Sequence, residues 1–326
     1  MNTEKALWGR FSGNREALTK ILTLASTAAI LVVFTAITPS FLGLRNIVNI
    51  LKDLSPVLVM ACGEGYVLML GSIDLSIGSI ASCAAVLLTV LLKWIGPWAY
   101  PVVLLYGVLA GVLNGYLHTR LSVPSFIATL STSAIWQSCA YLLSGGQPLT
   151  MLPDVWPYVN WAKVTLFGAV PVLFLAALLV LAAYSMVSRF TTAGHAVRAS
   201  GSNERATWLM GQNVRRAKVI AFLNAGLGAA LGGIFFAVKL KSGIPTVGVQ
   251  YTMLAIAAAV LGGIQMTGGK GAILMTLLGA LLITIIQNGM NVVGVSGLMQ
   301  QIIFGAILLA AIFVNSDKNH KGLVVK

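Results

Sequence analysis

The sequence contains few charged residues. Only 9% of its 326 residues are Asp, Glu, Lys or Arg, whereas soluble domains carry about 25%. Apolar residues make up 58% of the chain, and the mean hydropathy is +0.91. This composition excludes a soluble globular protein. The apolar residues form long runs and do not alternate with polar ones, which argues against a β-barrel and predicts an all-α, polytopic membrane protein.

Motifs for bond-making chemistry are also missing. The cysteines Cys62, Cys83 and Cys139 are scattered through apolar runs, which argues against a disulfide framework and against metal-ligand spacing. No Ser/His/Asp arrangement and no zinc motif is present. "GGKGAI" (Gly268–Ile273) lacks the spacing of a phosphate-binding loop. We therefore expect no catalytic residue, no metal and no cofactor in this chain, so that a partner ATPase or an ion gradient would supply the energy.

About ten apolar segments fill the chain. They cover roughly residues 21–37, 56–70, 75–92, 100–117, 125–143, 166–187, 218–238, 252–264, 272–287 and 298–314. Two of them, 56–70 and 252–264, are short for a full span and predict broken or tilted helices. The predicted organisation is a cytoplasmic tail at 1–20, one transmembrane domain at 21–314 and a second cytoplasmic tail at 315–326.

The distribution of Lys and Arg predicts the orientation. Ten crossings place both termini on one side, and if that side is cytoplasmic it holds fifteen of the 21 basic residues. The other six are Arg45, Lys52, Lys93, Lys163, Lys239 and Lys241. The net charge of +13 is explained by this asymmetry and not by nucleic-acid binding, since no aromatic-interleaved basic patch is present. Gly- and Pro-rich stretches at 38–55, 144–164 and 239–251 are expected to be external loops.

One polar phrase occurs twice between apolar runs. "LGSIDLSIG" spans Leu70–Gly78, and "LGGIQMTGG" spans Leu261–Gly269. Each has too many glycines for an ordinary helix and too few polar residues for a solvated loop. Irregular backbone within a membrane is tolerated only where protein buries it or water lines it. We therefore predict two helix breaks near the cytoplasmic side, related by a parallel internal pseudo-repeat. The break glycines are Gly71, Gly78, Gly262 and Gly269, with Gly71 matching Gly262 and Gly78 matching Gly269.

Two acidic residues lie in or beside these apolar runs. Asp74 precedes the third run, where it would either cap a helix N-terminus or work in a translocation pathway. Glu64 lies in the second run and either faces a cavity or is hydrogen-bonded within the bundle. The sequence leaves both pairs of alternatives open.

Residues 188–218 form the longest polar stretch and are predicted to be a cytoplasmic loop. Within it, Ser202 or Asn203 is a suitable N-cap for a short helix, Glu204 suits its first turn, and Gly211 suits the position after its end. Three residues at helical spacing would form a small apolar face. They are Ala206, Leu209 and Met210. A helix of two turns is not stable alone, so it must pack either on its own membrane domain or in a groove of a partner.

Six longer stretches carry a family resemblance. They are "FLGLRNIVNIL", "GSIDLSIGS", "VPSFIATLSTSAIWQSCAYLLSGGQP", "GSNERATWLMGQNVRRAKVIAF", "LAIAAAVLGGIQMTGGKGAI" and "QNGMNVVGVSGLMQQIIFGAIL". Together they cover roughly residues 41–314 and are specific as a set. In them the chain resembles the permease subunits of bacterial monosaccharide ABC importers, of the ribose, xylose, galactose and autoinducer-2 type. Ser72 replaces a glycine that is usual in this family, and Leu254 replaces a frequent aspartate.

The resemblance implies a non-enzymatic transport subunit for a ribose-like pentose or a hexose, in the bacterial inner membrane. Its partners would be a second permease copy, two ABC ATP-binding subunits that hold ATP and Mg²⁺, and a periplasmic sugar-binding protein. Residues 203–211 would contain the coupling helix that contacts the ATPase. A gradient-driven sugar carrier and an ABC permease for branched-chain amino acids are the alternatives.

Polar groups able to replace water on sugar hydroxyls are the candidates for the translocation pathway. They are Glu64, Asp74, Ser76, Asn114, Gln287, Asn288 and Asn291.

Overall fold

A computed structural model describes residues 15–315, which form a helical bundle with two small strand pairs. The helices are α1 (Arg15–Ile37), α2 (Leu44–Met69), α3 (Ile77–Ile95), α4 (Ala99–Arg120), α5 (Ser125–Ser144), α6 (Trp156–Val159), α7 (Val172–Phe190), α8 (Thr192–Ser202), α9 (Glu204–Leu209), α10 (Val214–Leu240), α11 (Thr252–Leu261), α12 (Thr276–Val293) and α13 (Gly297–Asn315). Residues 1–14 and 316–326 of the predicted tails lie outside the described residues, whereas residues 15–20 belong to α1 and not to a tail.

The strands are only two residues long. β1 (Leu149–Thr150) pairs antiparallel with β4 (Ser242–Gly243), and β2 (Thr165–Leu166) pairs antiparallel with β3 (Val170–Pro171). They tie together the connections at one end of the bundle and leave the protein all-α in class.

Six spans in the described residues are long and apolar enough to cross a membrane. They are Leu44–Met69, Ile77–Arg120, Ser125–Ser144, Val172–Phe190, Val214–Leu240 and Ile273–Val293. One of them contains both α3 and α4, and three further apolar helices are shorter. The protein is therefore a polytopic helical membrane protein, whereas the count of ten crossings stays a prediction.

Helix α10 lies at the centre of the bundle because small residues let its neighbours approach closely. A Cβ on Gly111 of α4 would lie 2.9 Å from Leu223 Cα, and a Cβ on Gly63 of α2 would lie 2.9 Å from the carbonyl oxygen of Asn224. On a third side, a Cβ on Gly233 would lie 2.8 Å from the Cβ of Ala84 in α3. Helix α10 thus connects α2, α3 and α4 in one buried core.

The second apolar segment is not a short span. Helix α2 begins at Leu44 and continues through Pro56, so the polar turns before residue 56 belong to the helix and not to an external loop. Asp53 in these turns forms a salt bridge with Lys239, near the end of α10. The prediction of an external loop before residue 56 failed because Asp53 is paired with Lys239 on the helix surface. Helix α11, in contrast, is only ten residues long, close to the short run at 252–264.

The predicted loop at 239–251 runs partly beside α3. A Cβ on Gly243 would lie 2.8 Å from Val86 Cα, while Gly248 N donates a hydrogen bond of 2.8 Å to Ser82 Oγ. A Cβ on Gly78 would lie 2.6 Å from the carbonyl oxygen of Gly248. Between Val86 and Gly78, α3 rises about 12 Å. The connection therefore descends into the bundle as non-helical backbone before α11 begins.

Helix α8 was not predicted. It occupies the first half of the polar stretch at 188–218, and Thr191 Oγ1 caps it by accepting a hydrogen bond from Gly194 N at 3.1 Å. Its Val197 and Ser200 are buried. The polar composition of this stretch indicated a loop, because α8 buries only a few small side chains.

Candidate translocation and coupling sites

The two repeated phrases end their helices in the same way. Gly71 N donates to Leu68 O and Ser72 N donates to Val67 O at the end of α2. At the end of α11, Gly263 N donates to Val260 O and Ile264 N donates to Ala259 O. This pair of bonds is the Schellman motif, which requires a left-handed residue after the C-cap. Glycine supplies it at both ends.

In the structure, Gly71 of the first phrase corresponds to Gly263 of the second and not to Gly262. The structural alignment of the two phrases is therefore shifted by one residue from the alignment of their sequences. The left-handed glycines are Gly71, at φ +81°, and Gly263, at φ +91°. Gly262 is instead the C-cap of α11, with φ −70°. Gly78 lies in the first turn of α3, where it allows close packing and does not form a break. Ser72 has no positive φ, so the side chain at this position is tolerated.

The two breaks contact each other at one end of the bundle. Gly269 N, in the segment between α11 and α12, donates a hydrogen bond of 2.7 Å to Met69 O at the end of α2. Gly201 near the end of α8 sits on this contact: a Cβ there would collide with Met69 O and lie 2.7 Å from Gly269 N. A Cβ on Gly269, which has φ +77°, would collide with Ser202 Oγ. We call Met69, Gly201, Ser202 and Gly269 the break junction, and its end of the bundle the coupling end.

A buried polar network follows the first break. Asp74 Oδ1 accepts hydrogen bonds from Ser76 N at 2.8 Å and from Ser76 Oγ at 2.6 Å. Asn114 Nδ2 donates to Ser76 Oγ at 2.7 Å and to Asp74 Oδ2 at 3.4 Å. Thr132 Oγ1 donates to Asn114 Oδ1 at 2.7 Å. These four residues connect the start of α3 with α4 and α5, and each is at most 1% exposed.

Glu64 joins this network from α2. Its Oε1 accepts a hydrogen bond of 3.2 Å from Asp74 N, whereas its Oε2 is buried without a hydrogen-bond partner among residues 15–315. Asp74 itself is not the N-cap of α3, because that position is Ser76 and Asp74 precedes it by two residues. Asp74 nevertheless satisfies the backbone N–H of the N-cap residue. Both carboxyl groups thus hold the non-helical segment against α2.

The short helix α9 lies at the coupling end with the predicted boundaries. Asn203 Oδ1 caps it by accepting a hydrogen bond of 3.0 Å from Ala206 N. Gly211, at φ +80°, follows its C-cap Met210. Glu204 in the first turn forms a 3.0 Å salt bridge with Lys218 of α10. Local sequence signals were sufficient here because both caps use side chains or glycines of the segment itself.

The apolar residues of α9 point away from the described protein. Leu209 is 69% exposed, Met210 is 81% exposed and the neighbouring Trp208 is 66% exposed, while Thr207 is buried. Ala206 is also exposed. A helix of six residues with this much exposed apolar surface is typical of a docking element. Beside it lies a cleft of about 1200 Å³, lined by His118, Arg205, Arg215 and Lys218 among others.

A groove of about 790 Å³ lies between α5, α11 and α13. Its polar lining includes Ser79, Ser133, Gln137, Gln250 and Gln301. Leu254, at the position of a frequent aspartate in the resembled family, also lines it. None of these polar residues was predicted as a site. The available signal was the density of Ser, Thr and Gln on α5, which is unusual for a helix of membrane length.

The sequence comparisons identify the family. Residues 46–312 match the family described as the permease component of branched-chain amino acid transport systems. The chain belongs to this permease family. The ribose import permease protein RbsC of Escherichia coli K12 is 32% identical over 97% of the chain and 99% of its own length. No solved structure matches the chain significantly.

Two further relatives carry other names. The L-arabinose transport system permease protein AraH of Escherichia coli K12 is 33% identical over 86% of the permease and 85% of its own length. The probable ABC transporter permease protein YphD of the same strain is 34% identical over 90% of the permease and 88% of its own length.

The structure of the permease separates the predicted pathway residues into two groups. Glu64, Asp74, Ser76 and Asn114 share the buried network. The other three, Gln287, Asn288 and Asn291, lie near the end of α12, away from the coupling end. There Asn288 Oδ1 accepts a hydrogen bond of 2.9 Å from Asn46 Nδ2, near the start of α2. Asn46 and Glu64 are about 27 Å apart along α2, so the two groups do not form one site.

Proposed function

We propose that this permease is the membrane-spanning subunit of an ATP-driven ABC importer that carries a monosaccharide into the bacterial cytoplasm. The similarity to ribose and L-arabinose permeases over nearly the whole chain supports a ribose-like pentose as the substrate class. The permease itself changes no covalent bond. Its contribution is a path through the membrane and a connection from that path to an ATPase.

The exposed apolar face of α9 carries this proposal. Trp208, Leu209 and Met210 are three largely exposed apolar side chains next to a basic cleft. A separate ABC ATP-binding subunit, which binds ATP and Mg²⁺, would cover this surface. Packing on the permease's own membrane domain is the alternative, and the exposure of all three side chains argues against it. Both chain termini would lie on this cytoplasmic side.

Helix α9 is connected to the helix breaks through only a few residues. Only Ser202 and Asn203 separate Gly201 from the first residue of α9, and Gly201 contacts both breaks at the junction. The first break continues into the Asp74 network, which anchors the start of α3. A shift of α9 driven by ATP binding would therefore displace the breaks and change which side of the membrane the path faces.

The remaining partners follow from this assignment. A periplasmic sugar-binding protein would deliver the sugar at the end of the bundle opposite α9, and a second copy of the permease would complete the path as a homodimer. The lipid bilayer would surround the exposed apolar faces of helices such as α7, where Leu179 is largely exposed.

The proposal is tested by reconstituting the permease with its ATPase and binding protein in proteoliposomes. We expect uptake of labelled ribose or L-arabinose that requires ATP on the ATPase side. Leu209→Asp places a charge in the docking surface, and we expect at least a tenfold loss of ATPase co-purification and uptake, because burying an unpaired charge costs several kcal/mol. His195→Asp is the matched control, since His195 is exposed on neighbouring α8.

Two results would contradict the proposal. Uphill sugar uptake driven by a proton or sodium gradient without any ATPase would indicate a secondary carrier. Normal ATPase recovery and normal uptake with Leu209→Asp would show that α9 is not the docking element.

A further inference from the structure

We infer that the groove between α5, α11 and α13 is one wall of the sugar path, and that the side-chain amide of Gln137 binds a sugar hydroxyl there. This inference rests on the proposed function and assigns its substrate contact to a particular residue. The observations that carry it are the polar lining of the groove, the non-helical backbone beside it and an unpaired amide oxygen.

The lining follows helical periodicity on two of the three helices. On α5, Leu130, Ser133, Gln137 and Tyr141 share one face, at spacings of three and four residues. On α13, Gln301, Phe304 and Leu308 repeat the same spacing. The polar residues Ser133, Gln137 and Tyr141 therefore form one strip on α5, and α13 adds Gln301 at one end of a mostly apolar strip. Such strips in a membrane protein face protein or water and not lipid.

Non-helical backbone forms the third side. The connection that descends beside α3 places Thr246 in the groove as non-helical backbone, and a single 3₁₀ turn (Val249–Tyr251) adds Val249 and Gln250 before α11 starts. Lipid cannot satisfy the hydrogen bonds of such backbone, so it occurs at membrane depth only where protein buries it or water lines it. An irregular segment next to a groove that contains several polar side chains therefore indicates a hydrated path.

Gln137 connects these two features. Its Nε2 donates a hydrogen bond of 2.8 Å to the carbonyl oxygen of Pro245, in the descending connection. Its Oε1 is buried and has no hydrogen-bond partner among residues 15–315. An unpaired buried oxygen is costly unless a ligand or water donates to it. The amide is oriented by the first bond, and its free acceptor matches the hydroxyl donors of a sugar.

The groove reaches down to the first break. Ser79 Oγ and Ser133 Oγ lie 2.7 Å apart at its lower part, and Ser79 is only three residues from Ser76 in the buried network. The network packs α3, α4 and α5 together below this point and leaves its members unexposed. A sugar that has passed Gln137 would thus meet the Asp74 network as a closed barrier. A second copy of the permease would supply the wall facing the open side of the groove.

The first test replaces the amide by an apolar side chain of similar length. With Gln137→Met, we expect ribose uptake by the complete reconstituted transporter to fall about tenfold, while ATPase co-purification stays unchanged. Gln137→Glu keeps an acceptor oxygen, and we expect it to transport faster than Gln137→Met. Ile135→Met is the control, because Ile135 is an exposed residue of α5 outside the groove lining. Wild-type uptake with Gln137→Met would overturn the inference.

The second test measures hydration directly and does not depend on folding of the Met variant. In a Cys139→Ser background, Gln137→Cys should react with a water-soluble maleimide in at least one nucleotide state, and the reaction should block uptake. Ile135→Cys should not react. Absence of labelling at position 137 in every state would overturn the inference. Failure of the wild-type complex to transport any sugar, with position 137 still labelled, would instead contradict the proposed function.

Discussion

The two helix breaks begin alike and continue differently. Both α2 and α11 end in a Schellman motif with a left-handed glycine. After the first, Asp74 turns inward and joins a network with no more than 1% exposure. After the second, the backbone bonds within its own turn, as Gly268 N donates to Gln265 O at 3.1 Å. The same short sequence therefore ends a helix in both places. The contacts after the two ends differ, because Asp74 follows the first break and forms side-chain hydrogen bonds, whereas backbone bonds follow the second.

This difference assigns separate roles to the two breaks. The first break anchors α3 to α2, α4 and α5 through side chains. The second break contacts α8 through backbone atoms and Ser202 at the junction. The first would act as the barrier in the path, and the second as the contact that receives movement from the ATPase side. Predictions that treat the breaks differently therefore test the assignment.

The largest effect is expected at Asp74. Asp74→Leu removes the acceptor for Ser76 N, Ser76 Oγ and Asn114 Nδ2 in a buried site, and should destabilise the permease by roughly 2–4 kcal/mol. Gln265→Leu, at the position that aligns with Asp74 in the sequence of the second phrase, should change stability little, since Gln265 is only half-buried and its break is held by backbone bonds. Thermal unfolding in detergent measures both. Equal losses for the two variants would contradict the comparison.

The next effect concerns the second break. Gly269→Ala combines a left-handed backbone, which costs about 1 kcal/mol for alanine, with a collision against Ser202 Oγ. Gly294→Ala is the matched control, because Gly294 has φ +83° and a Cβ there would meet nothing within 4 Å among the described residues. We expect Gly269→Ala to lose most sugar uptake and Gly294→Ala to keep it, at equal expression. If both variants lose the same activity, backbone strain alone explains the result.

The smallest effect is expected for Asp74→Asn. Asparagine keeps an acceptor oxygen for Ser76 N and Ser76 Oγ, so only the 3.4 Å contact with Asn114 and the negative charge are lost. We expect a loss of at most about 1 kcal/mol in stability and less than a threefold loss in uptake. Uptake assays at matched expression measure it. A stable but inactive Asp74→Asn would show that the charge itself works in the pathway.

Local signals in the sequence predicted the elements that depend on local contacts. The membrane class, the boundaries of α9 and the presence of both breaks follow from apolar runs, caps and glycines within short windows. The segments that failed depend on distant partners. Leu44–Ser55 is helical with its Asp53 paired to Lys239, and the connection after α10 is held by Ser82 and Gln137.

The candidate site was only partly predictable for the same reason. Glu64, Asp74, Ser76 and Asn114 attract attention as polar residues in apolar runs, and the structure joins them. The residues Gln287, Asn288 and Asn291 are also polar and lie in or beside apolar runs, but the structure places them at the opposite end of the helical bundle. Gln137 was missed because it is one of several Ser, Thr and Gln residues on α5 and nothing in the sequence distinguishes it from the others. Its unpaired oxygen is evident only from its contact with Pro245 in the structure.

We propose that α9 controls the breaks through the junction at Gly201. The most direct test is the number of sugars transported per ATP hydrolysed by the reconstituted transporter carrying Gly201→Ala. A Cβ there would collide with Met69 O and lie 2.7 Å from Gly269 N, while alanine strengthens α8 itself. We predict that the ATPase still binds and hydrolyses ATP but that the ratio falls at least fivefold, whereas His195→Ala on the same helix keeps it. An unchanged ratio in Gly201→Ala would contradict the account.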